Sequence, residues 1–247
     1  MPKLNSFGLG IAVVVVFVFT LMSAQALMIA PSLKQIYVPD NYSTIQQAVD
    51  AASSGDTIII RDGIYVENVY IDKPYLTIRS ENGSTNCIVQ AADSKDYVFK
   101  VTADYVSIEG FAVKGAVLGA GINVIADHCN ITNNYCTGNV KGILLWGNYN
   151  VISHNNCSWN YVGIESANSK YNIITKNTFM YNSNSGIDFI YGSDNNIVNY
   201  NTFFRNRYGV EFGSARQSVG NVFYLNNFIE NDQDVISAYY PGVRSIW

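Results

Sequence analysis

One pattern is written five times between residues 129 and 235. The copies are CNITNNYCTGNVKGI from 129, NVISHNNCSWNYVGI from 150, NIITKNTFMYNSNSGI from 172, NIVNYNTFFRNRYGV from 196 and NVFYLNNFIENDQDV from 221. Their starts lie 21, 22, 24 and 25 residues apart, and the third copy carries one extra residue before its glycine. A short strand-like repeat of this period is the mark of a solenoid, in which each copy buries its apolar face against the next. A helical solenoid is excluded, because no 3.6-residue period follows residue 56.

Aligned copies give columns. Ile131, Ile152, Ile174, Val198 and Phe223 share one, and Cys136, Cys157, Phe179, Phe203 and Phe228 share another. Both are expected to face inward as apolar ladders. Asn134, Asn155, Asn177, Asn201 and Asn226 form a third column, and Asn139, Asn160, Asn182, Asn206 and Asn231 a fourth. An amide can donate to one neighbour and accept from the other, and asparagine tolerates the left-handed backbone of a corner. Gly142, Gly163, Gly186 and Gly209 are read as marking another corner. The expected fold is all-β, a right-handed parallel β-helix of about eight coils.

Upstream, Ile45, Ala48, Val49 and Ala52 form one apolar helical stripe. Ser43 is the expected N-cap with Gln46 in a capping box, and Ser53-Ser54-Gly55 ends the helix. A helix over 43–54 is predicted to cap the first coil of a β-helix domain spanning 43–247. Residues 27–42 read as a linker and lead-in strand. Residues 1–26 read as a targeting segment: Lys3, an apolar run from Leu9 to Met22, then an A-x-A site at Ala24–Ala26. Cleavage as a signal peptide is favoured. Retention as a membrane anchor is the alternative, since Phe7 to Ala30 is uncharged and long enough to span a bilayer. Either reading exports the rest, so the chain is expected to be secreted or at the cell surface.

Charged residues are only 14% of the chain and the net charge is −4, with no Lys/Arg cluster. Nucleic acid is therefore excluded as a partner. Among the four cysteines, Cys136 and Cys157 are equivalent in adjacent copies. They are close enough for a disulfide, while parallel side chains in one column favour a reduced apolar stack. No cysteine or histidine spacing supports a zinc site. Asn41 and Asn82 are the favoured N-glycosylation candidates, being N-x-S/T sites in loops.

The opening STIQQAVDAASSGDTIII, the segment GIYVENVYI and the N-x-I-x-x-N…N-x-x-G-I repeats together resemble the NosD-like family of right-handed parallel β-helices. The resemblance covers about residues 37–247. It implies a carbohydrate-binding protein, a sugar hydrolase or a surface protein. It also implies a Gly-Asn-Tyr-Trp-rich closing segment beyond Trp247. Without one, the last coil has an open strand edge that invites edge-to-edge self-association. Copper handling, suggested by the family name, calls for soft or imidazole ligands, yet the repeat region offers only His128, His154 and Met180. No metal site is expected from them.

Two residues after each repeat glycine stand Leu144, Glu165, Asp188, Glu211 and, in the last copy, Ile236. Three carboxylates are thus expected to point outward on successive coils, one strand spacing apart. Four uses compete: a Ca²⁺ site, a glycosidase-like acid/base pair, a groove for sugar hydroxyls, or a solvated acidic stripe. Trp146, Trp159, Tyr161 and Tyr191 are the nearby aromatics by repeat position and suit sugar faces. Asp188-Phe189-Ile190-Tyr191-Gly192 is similar to a pectin methylesterase motif, but the glutamines, second Asp and Arg of those enzymes have no matching positions. The leading expectation is a surface protein that binds a polysaccharide or other glycan, without catalysis, through Glu165, Asp188, Glu211, Trp146 and Tyr191. No cofactor is expected, with Ca²⁺ at the stacked carboxylates as the alternative. The alternatives are a polysaccharide-active enzyme (hydrolase, lyase or esterase) and a structural cell-envelope module.

Overall fold

The computed structural model describes residues 33–213 and 217–237. They form the expected parallel β-helix: three all-parallel sheets of nine, eight and eight strands. Each coil contributes one strand to each sheet, as in Val151–Ser153, Asn156–Cys157 and Val162–Ala167. The first sheet runs from Gln35–Val38 to Val222–Tyr224, the second from Gly63–Val66 to Asn227–Ile229, and the third from Val69–Ile71 to Gln233–Ser237. The ninth rung comes from the lead-in strand. Gln35–Val38 pairs in register with Thr57–Ile60, so it belongs to the solenoid rather than to a linker.

The helix covers Ile45–Ala51 and buries Ile45, Ala48 and Val49. Thr44, not Ser43, is its N-cap, and its hydroxyl accepts from Gln47 N at 3.1 Å. A more distant residue does much of the rest. The Glu67 carboxylate accepts from Ile45 N and Gln46 N at 3.0 and 3.1 Å. At the other end Lys73 Nζ donates to the carbonyls of Val49, Asp50 and Ala52. Both ends of a short helix are thereby tied to the first coil by groups of the charge that the helix dipole favours.

Inside the coils the two apolar columns stack as read. Ile131, Ile152, Ile174, Val198 and Phe223 are consecutive register partners and fully or almost fully buried. Phe179, Phe203 and Phe228 stack at 5.0 and 4.7 Å. Cys136 faces Cys157 across one rung; both thiols are free and buried.

The corners correct two expectations. The column of Gly142, Gly163, Gly186 and Gly209 lies within or at the start of third-sheet strands, not at a corner, and none has a positive φ. Glycine is required there by close approach: a Cβ on Gly163 would sit 2.4 Å from Gly186 O and 2.7 Å from the Phe179 ring. Nor does the ladder asparagine adopt the left-handed backbone. The residue before it does, as at Asn133, His154, Lys176, Tyr200 and Leu225. The asparagine amide closes the corner instead. Asn177 Oδ1 accepts from Asn155 N at 2.9 Å and from Asn155 Nδ2 at 3.1 Å, while Asn177 Nδ2 donates to Ile152 O at 2.8 Å. A third such ladder, Asn150, Asn172, Asn196 and Asn221, occupies the remaining corner.

Candidate functional site

The carboxylates fall in one row on the outer face of the third sheet. Register partners run Asn123, Leu144, Glu165, Asp188, Glu211, Ile236. The row was legible from the repeat; its surroundings were not. It is not a solvated stripe, for Leu144 is 4% exposed and Asp188 only 9%. Leu144 packs with Ala120 and Ala167, and Tyr97 and Ile190 lie against them. The chain also crosses close to Asp188 at Gly213, where a Cβ would stand 2.8 Å from Asp188 Oδ1.

Each carboxylate has a separate partner. Glu165 pairs with Lys141 Nζ at 2.6 Å, and both side chains are largely shielded. Glu211 Oε2 accepts from Asn184 Nδ2 at 2.7 Å and from Ser185 Oγ at 3.0 Å. Among the described residues Asp188 accepts one long bond, from Gly213 N at 3.2 Å. Burial, and then the neighbouring charges of Glu211 and Glu165, push the Asp188 carboxyl up to about 8. The Gly213 N–H and Lys141 oppose that shift without cancelling it. At neutral pH Asp188 is therefore mainly a neutral acid between two carboxylates. It can donate a proton or a hydrogen bond where its neighbours only accept.

Of the four aromatics, two pair with each other. The Trp146 and Tyr191 rings lie nearly parallel, 16° apart with centroids at 6.4 Å. They are 42% and 54% exposed. Trp159 stacks instead on Tyr181 at the corner between the second and third sheets. Sequence reasoning missed Lys141, Asn184 and Ser185. Each lies three or four residues before a row position, Lys141 and Ser185 as the first residues of third-sheet strands and Asn184 just ahead of one.

The three carboxylates do not converge on a common point, and no group of three or more His, Cys, Asp or Glu suited to a metal occurs among the described residues. Copper ligands are equally dispersed. His128 stands in an exposed aromatic stack, between Tyr105 at 4.9 Å and Tyr149 at 5.2 Å. His154 lies at a different corner. Burial raises the thiols of Cys87 and Cys129, to about 12 and about 11, which disfavours the thiolate a metal needs. The described residues do not fit a copper centre. Among the described residues the charged groups acting on Asp188 are Glu211, Glu165 and Lys141.

Fold and site together define a parallel β-helix protein with an enclosed acidic row beside an exposed aromatic pair. The chain belongs to the NosD family: the family model described as periplasmic copper-binding protein (NosD) matches residues 49–243. It is 32% identical over 178 residues to a cell surface glycoprotein of Methanothermus fervidus, covering 66% of this chain and 29% of that protein. The chain thus matches less than a third of that relative's length. Among solved structures it is similar to pectate lyase Pel9A, with TM-score 0.66, 18% identity and coverage of 83% of this chain and 68% of that one. It is also similar to an alginate lyase from a Paenibacillus species, with TM-score 0.54, 17% identity and coverage of 86% and 97%. At such identities the likeness is one of fold.

The segment at 1–26 expected to direct export, and the end of the chain beyond Ser237, lie outside the described residues. Among the described residues, no helix is long and apolar enough to cross a membrane.

Proposed function

We propose that this is an exported, cell-surface β-helix protein that binds a polysaccharide on the outer face of its third sheet, without catalysis. The relationship to a cell surface glycoprotein and to a family described as periplasmic supports an extracytoplasmic location. The observation that carries the binding reading is the Trp146–Tyr191 pair. Two exposed, nearly parallel rings stand on the coils that carry the carboxylate row, Trp146 two residues after Leu144 and Tyr191 three after Asp188. Rings offer the apolar platform that a sugar face needs, and carboxylates take its hydroxyls. Titration of the full exported chain with neutral glycans on an array tests this. Trp146→Ala and the combined Glu165→Gln, Asp188→Asn, Glu211→Gln variant are each expected to weaken binding at least tenfold. Unchanged affinity in both would remove the site.

One observation favours a second reading, a polysaccharide-active enzyme: Asp188, whose carboxyl is pushed up to about 8, stands beside two further carboxylates, as a general acid does beside its partner. A bell-shaped pH–rate profile on a glycan, abolished by Asp188→Asn, would establish it. Turnover absent from a glycan that binds would exclude it.

A further inference from the structure

The corner between the second and third sheets carries a second exposed aromatic surface that the acidic row does not use. One column there runs Gly138, Trp159, Tyr181, Arg205, Glu230, each of the first four donating its backbone N–H to a carbonyl of the next coil. Trp159 is 59% exposed. One of its faces lies on Tyr181, with centroids 4.4 Å apart and planes 20° apart, and Tyr181 is held edge-on by Phe204. The opposite coil offers only Gly138, and a Cβ built there meets nothing within 4 Å. The indole is therefore backed on one side and open on the other. Five other corner residues, Tyr75, Tyr105, His128, Tyr149 and Tyr171, form a stack whose inner rings are covered on both faces. The contrast makes Trp159 a platform rather than another rung.

Beside it lies an open hollow of about 540 Å³, lined by Trp159, Tyr181, Ser183, Arg205, Arg207 and Asp232 among others. Arg205 is taken by Glu230 at 2.5 Å, and Arg207 lies over the Tyr208 ring at 4.9 Å. Among the described residues Arg207 and Asp232 form no ion pair, and the Ser183 hydroxyl has no hydrogen-bond partner. The two arginines balance Glu230 and Asp232. That balance disfavours an anionic or cationic ligand and suits vicinal hydroxyls, which accept from a guanidinium and donate to a carboxylate. We infer that this corner is a second glycan-binding subsite, which stacks a neutral pyranose on the open face of Trp159 and hydrogen-bonds its hydroxyls to Ser183, Arg207 and Asp232. It stands independently of the third-sheet site.

Calorimetric titration of the full exported chain with maltohexaose and cellohexaose, and with hexagalacturonate as the acidic counterpart, tests it. A neutral hexasaccharide is expected to bind in two classes of site. Trp159→Ala and Gly138→Asn should each weaken one class at least tenfold, and Trp146→Ala should weaken only the other. Gly138→Asn matters most. Asparagine accepts the left-handed φ of +67° there and covers the indole without removing it, so the test survives if Trp159→Ala fails to fold. Binding unaffected by both corner variants, no neutral binding, or tighter binding of hexagalacturonate would overturn the inference. Loss confined to Trp146→Ala would do so while leaving the third-sheet site intact.

Discussion

The asparagine ladder at Asn134, Asn155, Asn177, Asn201 and Asn226 and the acidic row at Glu165, Asp188 and Glu211 share one geometry. Both place equivalent side chains on successive coils, one strand spacing apart. Their chemistry is opposite. An amide both donates and accepts, so each ladder member satisfies its neighbours and the column closes on itself. A carboxylate only accepts, so stacking offers it nothing but repulsion. The row persists because help arrives from outside it: Lys141 for Glu165, Asn184 and Ser185 for Glu211, and a proton for Asp188. A column that completes itself is architecture. One that needs outside partners is free to exchange them for a ligand, at a cost the fold already bears.

This difference can be broken from either side. The largest effect is expected at the ladder. Asn177→Ala removes the acceptor of Asn155 N, one of the two acceptors of Asn155 Nδ2 and the side-chain donor to Ile152 O, all buried, and should destabilise the protein by about 4 kcal/mol in urea melts. Asp188→Asn should do the reverse above neutrality. The folded-state carboxyl titrates near 8 and the unfolded one near 3.8, so the folded protein holds a proton that the unfolded chain releases between these values. Wild-type stability from this group is thus greatest below about pH 4 and is lost as the pH rises to about 8. Each tenfold difference in proton affinity between the two states is worth about 1.4 kcal/mol. Asp188→Asn should therefore flatten that slope and exceed wild type at about pH 8.5 by a few kcal/mol. The smallest effect is expected for Lys141→Met. Leaving partly buried Glu165 without its counter-ion should cost about 1–2 kcal/mol in thermal melts. It should also raise the Asp188 pKa further, because Lys141 lowers it.

The repeat made much of this legible. Register follows from column alignment, so the apolar ladders, the Asn columns and the Glu165–Asp188–Glu211 row all emerged in the correct partnerships. What periodicity does not carry is what lies beside a column. Gly163 and its equivalents looked like corner residues because glycine commonly serves turns; their real constraint is the approach of the next coil and a phenylalanine ring. The acidic row was legible only as outward-pointing, because alternation says which way a side chain points and not what covers it. Its enclosure depends on Tyr97 and Gly213, outside the copies that define the column. Trp146 and Tyr191 meet although they occupy different repeat positions two coils apart, which alignment could not show.

Whether the row is enclosed and holds a proton among its three carboxylates is decided by titrating the Asp188 carboxyl carbon by NMR in the folded protein. The expected midpoint lies near 8 and falls when Glu165 and Glu211 are replaced by glutamine. A midpoint near 4, unmoved by those replacements, would mean an ordinary solvated stripe and would contradict the enclosure of Asp188.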